Sequence, residues 1–185
     1  MIHATVEAAM LHSAKLFRAT LTAFVLLVSV AGAASGELYE AARAAFQAGD
    51  KAEGYRLERL AAEQGDAEAQ TGLGLSYSSG RGVTQSDAEA TKWFRRGAEQ
   101  GDDKAQFLLA GAYFFGQGVP RDYLEAHKWA NLAVSRAPDE KMRESRRGML
   151  GLIAEKLNPE QVVEAQKLVR EWKPKPNDSG SCRPN

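Results

Sequence analysis

The sequence predicts an all-α fold, a right-handed α-solenoid of antiparallel helix pairs, on three observations. A stretch of the chain repeats after 36 residues, apolar residues inside each copy recur at helical spacing, and glycine and aspartate mark the corners between them. Residues 61–96 match residues 97–132 at 16 of 36 positions without a gap. Ordinary residue usage would give about two or three such matches by chance.

The first residues are of another kind. Lys15 and Arg18 precede an uncharged run from Ala19 to Gly36 with the apolar centre Ala23 to Ala31, followed by the small triplet Ala31-Gly32-Ala33. Positive, apolar, then small is the order of a secretory signal, which places a leader over residues 1–33. A helix from Ala23 to Ala34 would rise about 18 Å, short of a bilayer core of about 30 Å. Cleavage near Ala33 is therefore expected, with an uncleaved N-terminal membrane anchor as the alternative. Met10 competes with Met1 as the start.

A repeat domain is expected over residues 37–172. Its first unit, 37–65, is degenerate: Leu38 to Phe46 and Ala52 to Leu60 read as two helices turning at Gly49-Asp50. The units 66–101 and 102–136 are the regular ones. In their first helices Ala69, Leu73 and Tyr77, then Ala105, Leu109 and Tyr113, recur every four residues and line one face. In their second helices Ala90, Trp93, Phe94 and Gly97, then Ala126, Trp129, Ala130 and Ala133, follow the i, i+3, i+4, i+7 pattern of a buried stripe. Gly65 and Gly101 can end one helix in the left-handed conformation, and Asp66 and Asp102 behind them can cap the next. Gly80-x-Gly82-Val83 and Gly116-x-Gly118-Val119 form the longer loop inside each unit.

Two capping helices are expected over 138–172. The first, from about Pro138 to Leu157, carries Met142, Met149, Leu150, Ile153 and Leu157; the second is capped by Asn158, has Pro159 in its first turn, and turns Val162, Ala165, Leu168, Val169 and Trp172 inward. From Lys173 to Asn185 the sequence has nothing to bury, and a disordered tail is expected.

The pattern Ala-x3-Leu-x3-Tyr-x2-Gly-x-Gly-Val-x6-Ala-x2-Trp at this period resembles the Sel-1-like repeat (SLR), a relative of the tetratricopeptide repeat (TPR-like) with a longer loop in each unit. The resemblance implies an adaptor that binds protein or peptide segments at the cell envelope and does no covalent chemistry. Some cysteine-rich relatives are β-lactam-binding and carry paired cysteines in each unit. This chain has no cysteine at any repeat position, so the resemblance does not extend to that activity.

The residues themselves offer little to catalysis. The 24 basic and 24 acidic residues balance, which leaves no field to draw the chain to nucleic acid. Cys182 is the one cysteine and lies in the polar tail, so no intrachain disulfide and no cysteine metal site is expected. Beyond the leader His127 is the remaining histidine, and Thr91 holds its place in the other unit; a solvated or interhelical side chain explains it better than a general base. Asp102-Asp103 reads as a helix cap and a favourable charge beside it, and Gly80-Arg81-Gly82 lacks the lysine and hydroxyl ending of a phosphate loop. No catalytic, cofactor-binding or metal-ligating residue is expected.

Positions that differ between units are free for recognition. Phe107, Phe114 and Phe115 stand where the first unit has Thr71, Ser78 and Ser79. An aromatic patch of these three is the expected partner-binding site, with packing against the following helices as the competing role. The protein is expected to be a monomer, secreted or periplasmic, with a small-molecule or cell-wall ligand receptor or hydrolase on the same scaffold as the rival function. That rival requires converging polar groups around His127, Arg81 or Tyr113.

Overall fold

Short polar side chains set the helix starts, because the first N–H groups of a helix have no partner inside it. The computed structural model describes residues 35–176, which form eight helices with no strand among the described residues. These are α1 (Ser35–Gln47), α2 (Lys51–Glu63), α3 (Ala67–Ser79), α4 (Asp87–Gln100), α5 (Asp103–Phe115), α6 (Tyr123–Ser135), α7 (Glu140–Ala154) and α8 (Pro159–Glu171). Asp50, Asp66, Ser86, Asp102, Asp122, Asp139 and Asn158 each accept a backbone N–H at the start of α2 through α8. Each such cap contributes about 1 kcal/mol. The expected leader, residues 1–33, and Cys182 lie outside the described residues.

The corners form as their residues dictate. Gly65 and Gly101 adopt φ of 91° and 97°, a region costly for any residue with a Cβ, and the aspartate behind each caps the next helix. The inner loops of the two regular units close alike: Ser86 donates its N–H to the Tyr77 carbonyl at 2.9 Å, and Asp122 to the Tyr113 carbonyl at 3.1 Å. Side chains then stitch the units together. Gln70 donates to the Ala62 carbonyl and Gln106 to the Ala98 carbonyl, both at 3.2 Å, and the Thr71 hydroxyl reaches the capping carboxylate of Asp102 at 2.9 Å.

Neighbouring helices pack in pairs, α1 on α2, α3 on α4 and α5 on α6, with α2 against α3 and α4 against α5 joining one pair to the next. The core runs through Ala90, Phe94, Leu109, Tyr113, Ala126, Trp129 and Ile153. Alanines fill most remaining core positions, which lets the helices approach closely.

The pairing ends after α6. Both α7 and α8 rest on α6 and make little contact with each other, so they cover the last unit from two sides. In α7 Ile153 is fully buried and Arg146 is buried as well, donating to the Ala133 carbonyl at 2.7 Å and pairing with Asp103. Met142, expected on the inward side, is 49% exposed because it lies in the first turn of α7, ahead of the part that meets α6. In α8 Ala165 is buried, and Val169 and Trp172 pack on the core.

One boundary differs from expectation. Residues 173–176 are not a free tail: the Lys175 N–H donates to the Glu99 carbonyl at 2.8 Å, and its ammonium pairs with the Glu99 carboxylate at 3.0 Å. Prolines at 174 and 176 favour the extended backbone this contact needs, and Glu99 lies near the end of α4, where a carbonyl has no partner within the helix.

Candidate functional site

Helix α5 presents its variable residues on two sides. Phe107, Gly111 and Phe115 follow one another every four residues and line a groove of about 270 Å³ against Leu75 of α3, Thr91 and Phe94 of α4, and Met149 of α7. The walls are mostly apolar carbon. Phe115 is 59% exposed, an unusual position for a large ring, whereas Phe107 is half-buried with the Arg146 guanidinium 5.8 Å from its centroid.

Phe114 does not join them in the groove. At about 100° per residue it lies a quarter-turn or so behind Phe115, and its ring meets Tyr123 at 5.7 Å and packs against the core. It touches the patch at one place, an edge-on contact with Phe115 at 4.9 Å. The expected patch of Phe107, Phe114 and Phe115 is thus divided: Phe107 and Phe115 line the groove with Gly111 between them, and Phe114 packs beside it. The missing side chain at Gly111 leaves room in the groove between the two rings.

The ionisable residues singled out in the sequence take structural places. His127 is 4% exposed in α6, and burial pushes its pKa down and favours the neutral ring. Its Nδ1 has no hydrogen-bond partner among the described residues, while Thr91, in the same place one unit earlier, donates to the Gln117 carbonyl at 2.9 Å. Burial pushes the Asp102 carboxyl up, opposed by its bonds to the Ala105 N–H and the Thr71 hydroxyl; Asp103 pairs with Arg146. The two carboxylates therefore answer to different partners and do not act as a pair. Among the described residues no cluster of three metal-ligating side chains exists, and no helix is long and apolar enough to cross a membrane.

Residues 67–102 and 103–137 match the family model of the Sel1 repeat. The chain thus carries two Sel1 repeats. No curated protein matches it. Among solved structures it is similar to a protective antigen present in uropathogenic Escherichia coli strains, displaying an SLR fold, with 28% identity and a TM-score of 0.66 over 75% of this chain and 29% of that one. The chain thus spans less than a third of the antigen's length. It is also similar to a Sel1 repeat protein from Oxalobacter formigenes, with 29% identity and a TM-score of 0.59 over 69% of this chain and 98% of that one. Both likenesses agree with the stacked helix pairs of this chain, and Sel1 repeats generally serve as protein-interaction scaffolds.

A second pocket in this Sel1-repeat domain lies at one of the three places the rival reading named, and sequence reasoning missed only its other residues, Glu58 above all. It opens around Arg81, between α1, α2 and α3, and is lined by charged and aromatic side chains. Its signal lay in the degenerate unit, where Glu58 occupies the inward side of a helix whose other inward residues, Gly54, Leu57 and Ala61, are small or apolar.

Proposed function

We propose that this protein is an exported adaptor of the cell envelope, without catalysis of its own, which holds an extended segment of a partner protein in the groove beside Phe107 and Phe115. The observation that carries this reading is the exposed Phe115 ring at the rim of an apolar groove, in the one regular unit whose variable positions are aromatic. Thr71 and Ser79 stand at the matching places in the other unit, so the repeat architecture does not require these rings. Aromatic side chains in a partly dry groove are favoured anchors for a partner.

The test is capture of partner protein from an envelope fraction by the wild-type chain and by Phe107→Ala and Phe115→Ala. Loss of capture with a melting temperature within a few degrees of wild type supports the reading; unchanged capture by both variants removes it. Export is tested separately by determining the N-terminus of the protein recovered from cells. A start near Ser35 supports a cleaved leader, and retention of residues 19–36 supports the membrane-anchored alternative. A small-molecule receptor is the second reading, favoured by the polar pocket around Arg81.

A further inference from the structure

The apolar groove and the polar pocket are the same place in successive layers of the solenoid. Advancing by 36 residues carries Tyr55 onto Thr91, Glu58 onto Phe94, Gly72 onto Leu108 and Arg81 onto Gln117, every one a lining residue of its own pocket. Leu75 lines both, so the two are neighbours. Their chemistry is opposite. Where one layer has the buried phenyl ring of Phe94, the other has the carboxyl of Glu58, 7% exposed.

Two substitutions are coupled here. A Cβ at residue 72 would stand 2.2 Å from the Glu58 Oε1, so the glycine makes room for the carboxyl where the next layer has Leu108 against Phe94. Among the described residues Glu58 accepts one hydrogen bond, from the Ser76 hydroxyl at 3.3 Å. Burial pushes its pKa up, and the fields of Arg81 and Lys104 act against that rise. Lys51, Arg81 and Lys104 stand exposed around the pocket, and none is in an ion pair among the described residues. Three unpaired cations thus face one buried acid across a cavity of about 430 Å³ walled by Tyr39, Phe46 and Tyr55. A sequence under selection for stability alone would place an apolar residue at 58, because a buried carboxylate without a cation is costly.

We propose that the Arg81 pocket is a carboxylate subsite, so that the two neighbouring pockets together recognise an extended peptide carrying an acidic residue one layer away from an apolar one. This rests on the groove beside Phe107 being the peptide site. Arg81 and Lys104, whose fields reach Glu58, are the groups that hold the anion, while Tyr39 on the same wall feels the carboxylates of Glu68, Glu58 and Asp66. The aromatic walls exclude water and strengthen each contact. Helices pack about 8–10 Å apart, which an extended chain crosses in about three residues at about 3.3 Å each.

The probes are N-acetylated, C-amidated peptides carrying one Glu and one Phe separated by two to four alanines, in both orders, with binding to the whole chain read by calorimetry. The expected result is that replacing Glu by Gln in the peptide weakens binding about tenfold, the size of a charge-assisted contact. The protein variant Arg81→Ala/Lys104→Ala, both changes at exposed positions, abolishes the preference for Glu over Gln, and Phe107→Ala weakens both peptides alike. Equal binding of the Glu and Gln peptides, with Phe107→Ala still harmful, overturns the carboxylate subsite and leaves the groove reading intact. Preference for a Lys peptide also overturns it, since the buried acid would then be the recognising group. Binding by none of the peptides overturns both.

Discussion

The two regular units, 66–101 and 102–136, share their stripes, caps and loops, yet the same tryptophan meets different surroundings in each. Trp129 is 2% exposed, donates its indole N–H to Glu125 at 2.9 Å and has the Trp172 ring edge-on at 6.3 Å. Trp93 is half-buried, with the Arg96 guanidinium over its face at 4.4 Å. The difference comes from the last two helices of the chain. α7 and α8 cover α6 from two sides, and Trp172 belongs to that cover, whereas α4 is left open on its outer side apart from the extended segment around Lys175. The polar stitching diverges as well. Gln100 donates to the Gln70 side chain at 2.8 Å, but its counterpart is Arg136, which lies over Trp172 at 5.0 Å, and the Gln106 Oε1 is left without a partner among the described residues. An identical residue therefore has an energetic value set by its layer and not by the repeat consensus.

The largest expected effect comes from the tryptophans themselves. Trp129→Ala should destabilise the fold by about 3–5 kcal/mol and Trp93→Ala by about 1 kcal/mol, read from urea unfolding midpoints. Equal losses would break the contrast between covered and open layers. Arg146→Ala, which removes the tie from α7 to Asp103 and to the Ala133 carbonyl, should cost about 3 kcal/mol. The first unit has Ala67 in place of Asp103, so Ala67→Asp should gain nothing comparable in the same assay.

The inner loops give a narrower contrast. Gly82 and Gly118 share a left-handed φ of 71° and 69°, but a Cβ on Gly118 would stand 2.1 Å from the Asp87 carbonyl oxygen, while one on Gly82 would meet the movable ring of Tyr55 at 2.5 Å. Gly118→Ala should lower stability by about 3 kcal/mol and Gly82→Ala by about half as much, with thermal unfolding as the readout.

The smallest effect is the one that depends on pH. The Glu58 carboxyl, faced by Tyr39 of α1, Lys51 and Tyr55 of α2, Ser76 of α3, Arg81 of the inner loop and Lys104 of α5, is pushed above its ordinary value of 4.5 by burial. The folded protein then binds a proton more readily than the unfolded chain, so the penalty of this acid is absent below about pH 4.5 and complete above its raised value. Glu58→Gln should raise the melting temperature at pH 7 and lose that gain as the pH falls to 4.

Architecture was legible because it rests on local rules: the 36-residue echo, the capping aspartates and the left-handed glycines each follow from backbone geometry at one position. The groove beside Phe107 was legible in part. Phe107 and Phe115 stood out as departures from the first unit, but α5 alone does not say which of Phe114 and Phe115 faces α4, since that depends on how Tyr123 and Met149 fill the space beside it. Arg146 was hidden for a similar reason. A charged residue in an amphipathic helix reads as solvent-facing until its partner, 43 positions away, is known. The pocket at Glu58 required two residues, 58 and 72, to be read together across a helix pair.

The extended segment at Lys175 has a mechanical consequence. Its hydrogen bond and ion pair reach past α5 to α8 and fasten the end of the described chain to Glu99 at the base of α4. Tension applied at the C-terminal end is delivered to the seam between the two regular units before it can peel α8 from α6. Whatever is tethered there pulls on the middle of the stack.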